Sequence, residues 1–224
     1  MSVALILSGA GRYSDPWHPF PRTSPLLADI ARNAGWEVSI SEDIDGRLAS
    51  GLGDVDLLIV NAGDPWRVGD EANPAHPGPV DEGLVRDGIL GLEEAFARGI
   101  RVLGIHSAAS SLRDYPQMRE ALAGEWAPGH SWHPPLSELV ITPVAAVGLE
   151  PFAVEDERYT DLVFTDDVEV MANCIQEEST YPLAWKHTFG SSQVVVDTLG
   201  HDERSYQSPG HVDLLTYILG FLGN

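Results

Sequence analysis

Three stretches of this chain are aliphatic almost without interruption: Val3 to Leu7, Asp56 to Val60 and Arg101 to Ile105. A strand with one face in water alternates apolar and polar residues, whereas a strand covered on both faces has no need to. Such runs, separated by segments of helical spacing, point to an α/β chain with a mostly parallel sheet and helices on both faces. Leu27, Ile30, Ala31 and Ala34 recur at that spacing after Ser24-Pro25, an N-cap with proline at the first helical position, and Gly35 ends the segment. Val85, Ile89, Leu92 and Phe96 make a second stripe, closed by Gly99. With a strand at Trp36 to Ile40, the order through Ile105 reads β-α-β-β-α-β. Further strands are expected at Leu139 to Thr142, Val168 to Ile175, Leu183 to His187 and Gln193 to Leu199, the last two joined by a turn at 189–192. A final helix follows Ser208-Pro209.

The length of 224 residues, without repeat or linker, reads as one domain over 1–224. The net charge of −21 argues against nucleic acid and against anionic lipid, both of which need a positive footprint. The single cysteine, Cys174, cannot form an internal disulfide and lies in a run that reads as a buried strand. The N-terminal apolar run is too short for a secretory signal, and no stretch approaches a membrane span, so the expectation is a cytoplasmic protein. Late aromatic and aliphatic residues could serve a homo-oligomer as readily as a core.

The sharpest chemical feature is 102–110, VLGIHSAAS, where a buried strand breaks into small residues. Strand, tight turn and helix in that order thrust a side chain into the mouth of a sheet, and here the corner residue is His106, followed by Ser107. His130 and His133, three apart around Trp132 in a proline-bounded segment, suit metal ligation or sugar contact, or simply an exposed pair. Glu155-Asp156-Glu157-Arg158-Tyr159 places carboxylates side by side for acid–base work or for a hard metal. His201 leaves a strand end with Asp202 and Glu203 beside it, the pattern of an oriented base. His18, His76, His187 and His211 have no context that lifts them above a structural or solvated role. Gly9-Ala10-Gly11 lacks the spacing of a dinucleotide loop, so no nucleotide cofactor is expected.

Taken in order, GIHSA at 104–108, GHSWHP at 129–134, DERY at 156–159, Tyr181-Pro-Leu-Ala-Trp185 and TLGHD at 198–202 resemble the ThuA-like family of trehalose-utilisation proteins. The resemblance implies a flavodoxin-like fold of the class I glutamine amidotransferase kind, and a role in catabolism of trehalose or a related disaccharide or keto-sugar. Amidotransferases carry a cysteine nucleophile at the elbow; His106 cannot form the thioester, so glutaminase activity is not expected. The implied chemistry is metal-assisted or acid–base catalysis on a sugar derivative. His106, His133, Glu157 and His201 would hold zinc or manganese, and Asp202 or Glu203 would orient or relay protons. Asn61, Asp64, Ser107, His130 and Tyr159 would contact substrate, with Trp17, Trp66 or Trp132 stacking on a sugar ring. The alternative is a non-catalytic carbohydrate-binding or regulatory protein that kept the pocket without the nucleophile. Arg158 departs from the family pattern, which has an apolar residue there.

Overall fold

The computed structural model describes residues 2–63, 80–176 and 178–223. Most of the expected loop from Asn61 to Pro79 lies outside these residues, and so do Asp64, Trp66 and His76. The first half of the chain runs β1 (Val3–Ser8), α1 (Phe20–Asn33), β2 (Glu37–Ser41), α2 (Ile44–Ala49), β3 (Leu57–Asn61), α3 (Glu82–Ala97) and β4 (Arg101–Ile105). The second runs α4 (Pro116–Leu122), β5 (Gly124–Glu125), β6 (Ser137–Pro143), β7 (Phe152–Asp156), β8 (Val163–Phe164), β9 (Glu169–Gln176), β10 (Ser179–Phe189), β11 (Ser192–Asp197) and α5 (Pro209–Gly223).

One nine-stranded sheet holds the molecule together in the order β2-β1-β3-β4-β11-β10-β9-β6-β7. Strands β2, β1, β3, β4 and β11 are parallel. The expected mostly parallel sheet is therefore found on one side only, since β10, β9, β6 and β7 continue it antiparallel. Parallel neighbours need a crossover of a dozen or more residues, and the links β6–β7, β9–β10 and β10–β11 are at most eight residues long, which allows only antiparallel returns. Successive residues of the parallel strands face opposite sides, as period two requires. Ala4, Ile6, Leu57, Ile59, Leu103 and Ile105 pack with α1 and α5, whereas Leu5, Leu7, Leu58, Val60 and Val102 pack with α2, α3 and α4.

Two elements depart from expectation. Helix α1 begins at Phe20, so Pro25 lies inside it and Ser24 is no cap. The buried Ser24 hydroxyl instead donates to Ser8 Oγ (2.8 Å) and accepts from the Asn61 amide (2.9 Å). Near a helix start the missing N–H of Pro25 forgoes one bond, to the Pro21 carbonyl. Helix α2 was not expected, because six residues containing Gly46 show no stripe; Asp43 caps it by accepting from the Gly46 amide (3.1 Å). Among the described residues no helix is long and apolar enough to cross a membrane.

Candidate metal centre

The order of the parallel strands reverses between β1 and β3, and ligands of open α/β sheets bind at such a point, outside the carboxyl ends. The loops leaving β1, β4, β7 and β11 bring His18, His106, Glu157 and His201 together there. One ligand atom from each of the four lies within 4.8 Å of all the others.

His106 sits at the corner directly after β4 with φ +44, a left-handed backbone uncommon for a residue with a side chain. The turn is as tight as the sequence suggested: a Cβ on Gly104 would come 3.0 Å from Leu122 and 3.3 Å from Ala108. A single 3₁₀ turn (His106–Ser110) follows rather than an α-helix. The His106 Nδ1–H donates to the Thr198 carbonyl at 2.7 Å, which fixes the tautomer and leaves the Nε2 lone pair directed at the cluster. His18 is held the same way by Asp15, whose Oδ2 takes the Nδ1–H at 2.7 Å while Oδ1 accepts from the amides of Trp17 and His18. Nε2 of His18, Nε2 of His106 and Nδ1 of His201 are buried and have no hydrogen-bond partner.

Glu157 faces these nitrogens: Oε2 is 3.5 Å from His106 Nε2 and 3.3 Å from His201 Nδ1. A tetrahedral ion with ligand bonds of about 2.1 Å has ligand–ligand edges of about 3.4 Å, so these two edges already have the needed length. The donor set of three imidazoles and one carboxylate, with outer groups orienting two of the imidazoles, fits a zinc-type ion.

Charge is distributed accordingly. Burial would raise the Glu157 carboxyl, but pairing with His106 and His201 outweighs it and holds Glu157 well below the usual carboxylate range. For His106, burial lowers the imidazole, and the pairing with Glu157 together with the charge of Asp156 wins and raises it. His18 goes down, through burial and repulsion by His106 and His201, with Asp15 opposing. An imidazole binds a metal only through an unprotonated nitrogen, so zinc affinity should fall as pH drops. Titrating the stripped protein with zinc at several pH values checks this, and a flat profile would contradict it.

Above the cluster opens a cavity of about 500 Å³, walled by Trp17, Trp126 and Tyr159, with Ser110, Arg113 and His133 also lining it. The structure thus unites His106, His201, Glu157, His133 and Tyr159 as the sequence suggested, but in different roles. His18 takes the place in the cluster expected of His133. The latter lies on the wall with Nδ1 3.5 Å from Glu157 Oε1 and 2.9 Å from the Pro134 carbonyl. Trp126 is the aromatic wall in place of Trp132, whose Nε1 donates to Asp161 (2.8 Å) on the exposed side. His130 is exposed and does not line the cavity.

Other expected contacts are occupied elsewhere. The Asn61 amide is buried against Thr23 and Ser24. Ser107 Oγ donates to the Ala62 carbonyl (3.1 Å). Asp202 pairs with Arg204, whose Nε lies 3.0 Å from Oδ1. Arg158 is buried with its guanidinium 3.9 Å from the centre of the Tyr181 ring.

Gly200 explains why His201 arrives where it does. Its φ is +116, and an added Cβ would meet Ile105 Cγ2 and Tyr206 Oη at 2.8 Å. Gly200→Ala should destabilise the fold by about 1–3 kcal/mol and weaken zinc binding, because His201 is displaced with it. Urea denaturation and zinc titration of the same preparation test both parts. Asp15→Asn should leave folding largely intact and weaken zinc about 10–100-fold, since the amide no longer holds His18 as the Nδ1–H tautomer.

An open α/β sheet with a polar site beyond its parallel strands is the class these features define. The chain belongs to the ThuA family, described as trehalose utilisation, whose family model matches residues 4–217. A ThuA-like protein from Parabacteroides merdae shares 16% identity at a TM-score of 0.74, over 100% of this chain and 90% of that one. Another, from Bacteroides uniformis, shares 14% at 0.65, over 98% and 89%. A cold-adapted β-galactosidase from Rahnella sp. R3 contains the same arrangement within 31% of its length, at 15% identity, a TM-score of 0.63 and 100% coverage of this chain. At such identities these likenesses show the fold. No curated protein matches the chain. Membership of the family supports a carbohydrate-related role.

Proposed function

We propose that this chain is an enzyme of carbohydrate catabolism acting on a small sugar derivative, a disaccharide or keto-sugar, with a divalent ion of the zinc or manganese kind. One observation carries this reading: three buried imidazole nitrogens without hydrogen-bond partners and one carboxylate converge beneath an aromatic-walled cavity. His18, His106, Glu157 and His201 hold the ion, while Asp15 and the Thr198 carbonyl fix two of the imidazoles. The ion would supply Lewis acidity toward a carbonyl or hydroxyl of the substrate.

The chain's own residues do the rest. Trp17 and Trp126 offer flat faces to a sugar ring and keep water from it. His133, with Nδ1–H directed at the Pro134 carbonyl and Glu157, has Nε2 as its proton-accepting nitrogen and serves as acid–base partner. Burial first, then the charges of Glu157 and Asp156, holds the Tyr159 hydroxyl far above its ordinary range, so it acts as a donor. In fold terms, the parallel strand order 2-1-3-4-11 is that of a flavodoxin-like sheet. The net charge of −21 fits a small-molecule ligand better than nucleic acid or an anionic membrane.

Metal analysis by plasma mass spectrometry tests the reading. The purified chain should carry close to one equivalent of metal, lost in His18→Ala and His106→Ala and kept in His133→Ala. A parent chain without metal after incubation with zinc and with manganese would overturn it. The second reading, a carbohydrate-binding protein without catalysis, is favoured by one feature: the elbow presents an imidazole, and the adjacent Ser107 hydroxyl is turned to the Ala62 carbonyl. In that case His106→Ala would keep sugar affinity, and no member of a panel of keto-sugars and disaccharides would be turned over.

A further inference from the structure

Behind the imidazoles lies a second chain of polar groups, fully enclosed and without contact to the cavity. Asp156, the last residue of β7, is wholly buried. Its Oδ1 accepts from the amides of Glu157 (2.7 Å) and His201 (3.4 Å). Its Oδ2 accepts from the Gly200 amide (2.7 Å) and from the Ser205 hydroxyl. The Ser205 proton goes to Asp156, so its oxygen accepts from His211 Nδ1–H at 2.9 Å. His211 Nε2–H then donates to Asp197 Oδ2 at 3.0 Å. With both ring nitrogens donating, His211 is an imidazolium paired with Asp197 and linked through Ser205 to Asp156. Asp197 also accepts from the Leu199 amide (3.0 Å), and the residue between them, Thr198, supplies the carbonyl that sets the His106 tautomer.

One buried carboxylate thus binds the backbone of two cluster residues, Glu157 and His201, which arrive from β7 at the sheet edge and from β11 near its middle. The same network grips the segment that orients a third, His106. A core pin needs only to tie the two chain segments together. This one takes its hydrogen bonds from the amides of the residues whose side chains face each other at 3.3 Å.

We propose that Asp156, acting through Ser205, His211 and Asp197, is a positioning residue that sets the Glu157–His201 separation and with it the affinity of the cluster for a divalent cation. The affinity part rests on the metal reading above, and the geometric part on hydrogen bonds alone. In Asp156→Asn one acceptor oxygen becomes an NH₂ donor facing amide or hydroxyl donors, so one side of the grip is lost whichever way the amide turns.

The test compares the full chain with Asp156→Asn and Ser205→Ala, each stripped with chelator and checked for folding by circular dichroism. Zinc dissociation constants are measured by competition with a chromophoric chelator, and metal-free crystal structures give the distance from Glu157 Oε2 to His201 Nδ1. Asp156→Asn should weaken zinc by about 10–100-fold, with that distance lengthened. Ser205→Ala should do the same more weakly, and the double variant should fall short of additivity. A folded Asp156→Asn with unchanged zinc affinity and unchanged distance would overturn the proposal, because a purely structural pin lowers stability without moving either. If Asp156→Asn fails to fold, Ser205→Ala decides by the same two readouts. If the parent takes no zinc, the metal reading fails, and the distance alone decides whether Asp156 positions the pair.

Discussion

Replacing His106 with alanine should abolish metal retention and lower kcat/KM on a sugar derivative by about 1,000-fold or more, while the chain stays folded. Lewis-acid polarisation of a reacting oxygen contributes several kcal/mol, and each tenfold in rate corresponds to about 1.4 kcal/mol. The stability effect is smaller, about 1–3 kcal/mol, because the Thr198 carbonyl and Glu157 each lose a partner. His106→Asn separates the two roles of the corner. Asparagine tolerates the positive φ recorded there but offers no imidazole lone pair. It should therefore be more stable than His106→Ala and equally inactive. Activity retained in either variant would remove His106 from the mechanism.

Asp197→Ala should produce the largest loss of stability, about 3–5 kcal/mol, since it leaves the His211 imidazolium buried without its counter-charge. Both side chains are fully enclosed at a separation of 3.0 Å. Burial lowers the His211 imidazole, and the charge and hydrogen bond of Asp197 outweigh it and raise it. A raised histidine contributes stability that is complete below its ordinary value of 6.5 and fades as pH rises through the folded value. Glu157 has the opposite sign: depressed from 4.5, it contributes above that value and loses the contribution as pH falls through the folded one. Chelator-treated protein should thus be most stable between these two reference values and weaken on both sides. In Asp197→Ala the alkaline decline should flatten. Urea midpoints across pH measure both, and an unchanged alkaline slope in the variant would contradict the assignment.

The buried strands β1, β3 and β4 were legible because continuous aliphatic runs have few alternatives, and the corner at His106 because a buried strand there meets small residues. The antiparallel half was harder to place: β7 is five residues long and ends in acids, so 155–157 read as a block of like groups. In the fold they part company. Glu155 pairs with Arg204 at the surface (2.7 Å), Asp156 turns into the core and Glu157 into the cluster. No local pattern distinguishes three adjacent carboxylates whose fates are set by segments some 45 residues away. His18 carries no distinguishing local signal for a related reason. Its setting, Asp-Pro-Trp-His-Pro at 15–19, resembles the Ser-Trp-His-Pro at 131–134, and only the path of the β1 loop over β4 decides between them. His211 looked solvated or structural, and it lies at the centre of an ion pair that period and spacing do not reveal.

The sheet itself gives the cluster a mechanical meaning. Strand β7 is one of the two edge strands of the sheet, and among the described residues it pairs with β6 alone. An ion bound by Glu157 at the end of that strand and by His106 beyond β4 would clasp rim to centre, bypassing the four strands between. Fraying at the rim and loss of the ion then become a single event. Amide exchange in β6 and β7 should slow on zinc addition far more than in β1 or β3, making this edge of the sheet a reporter on its chemistry.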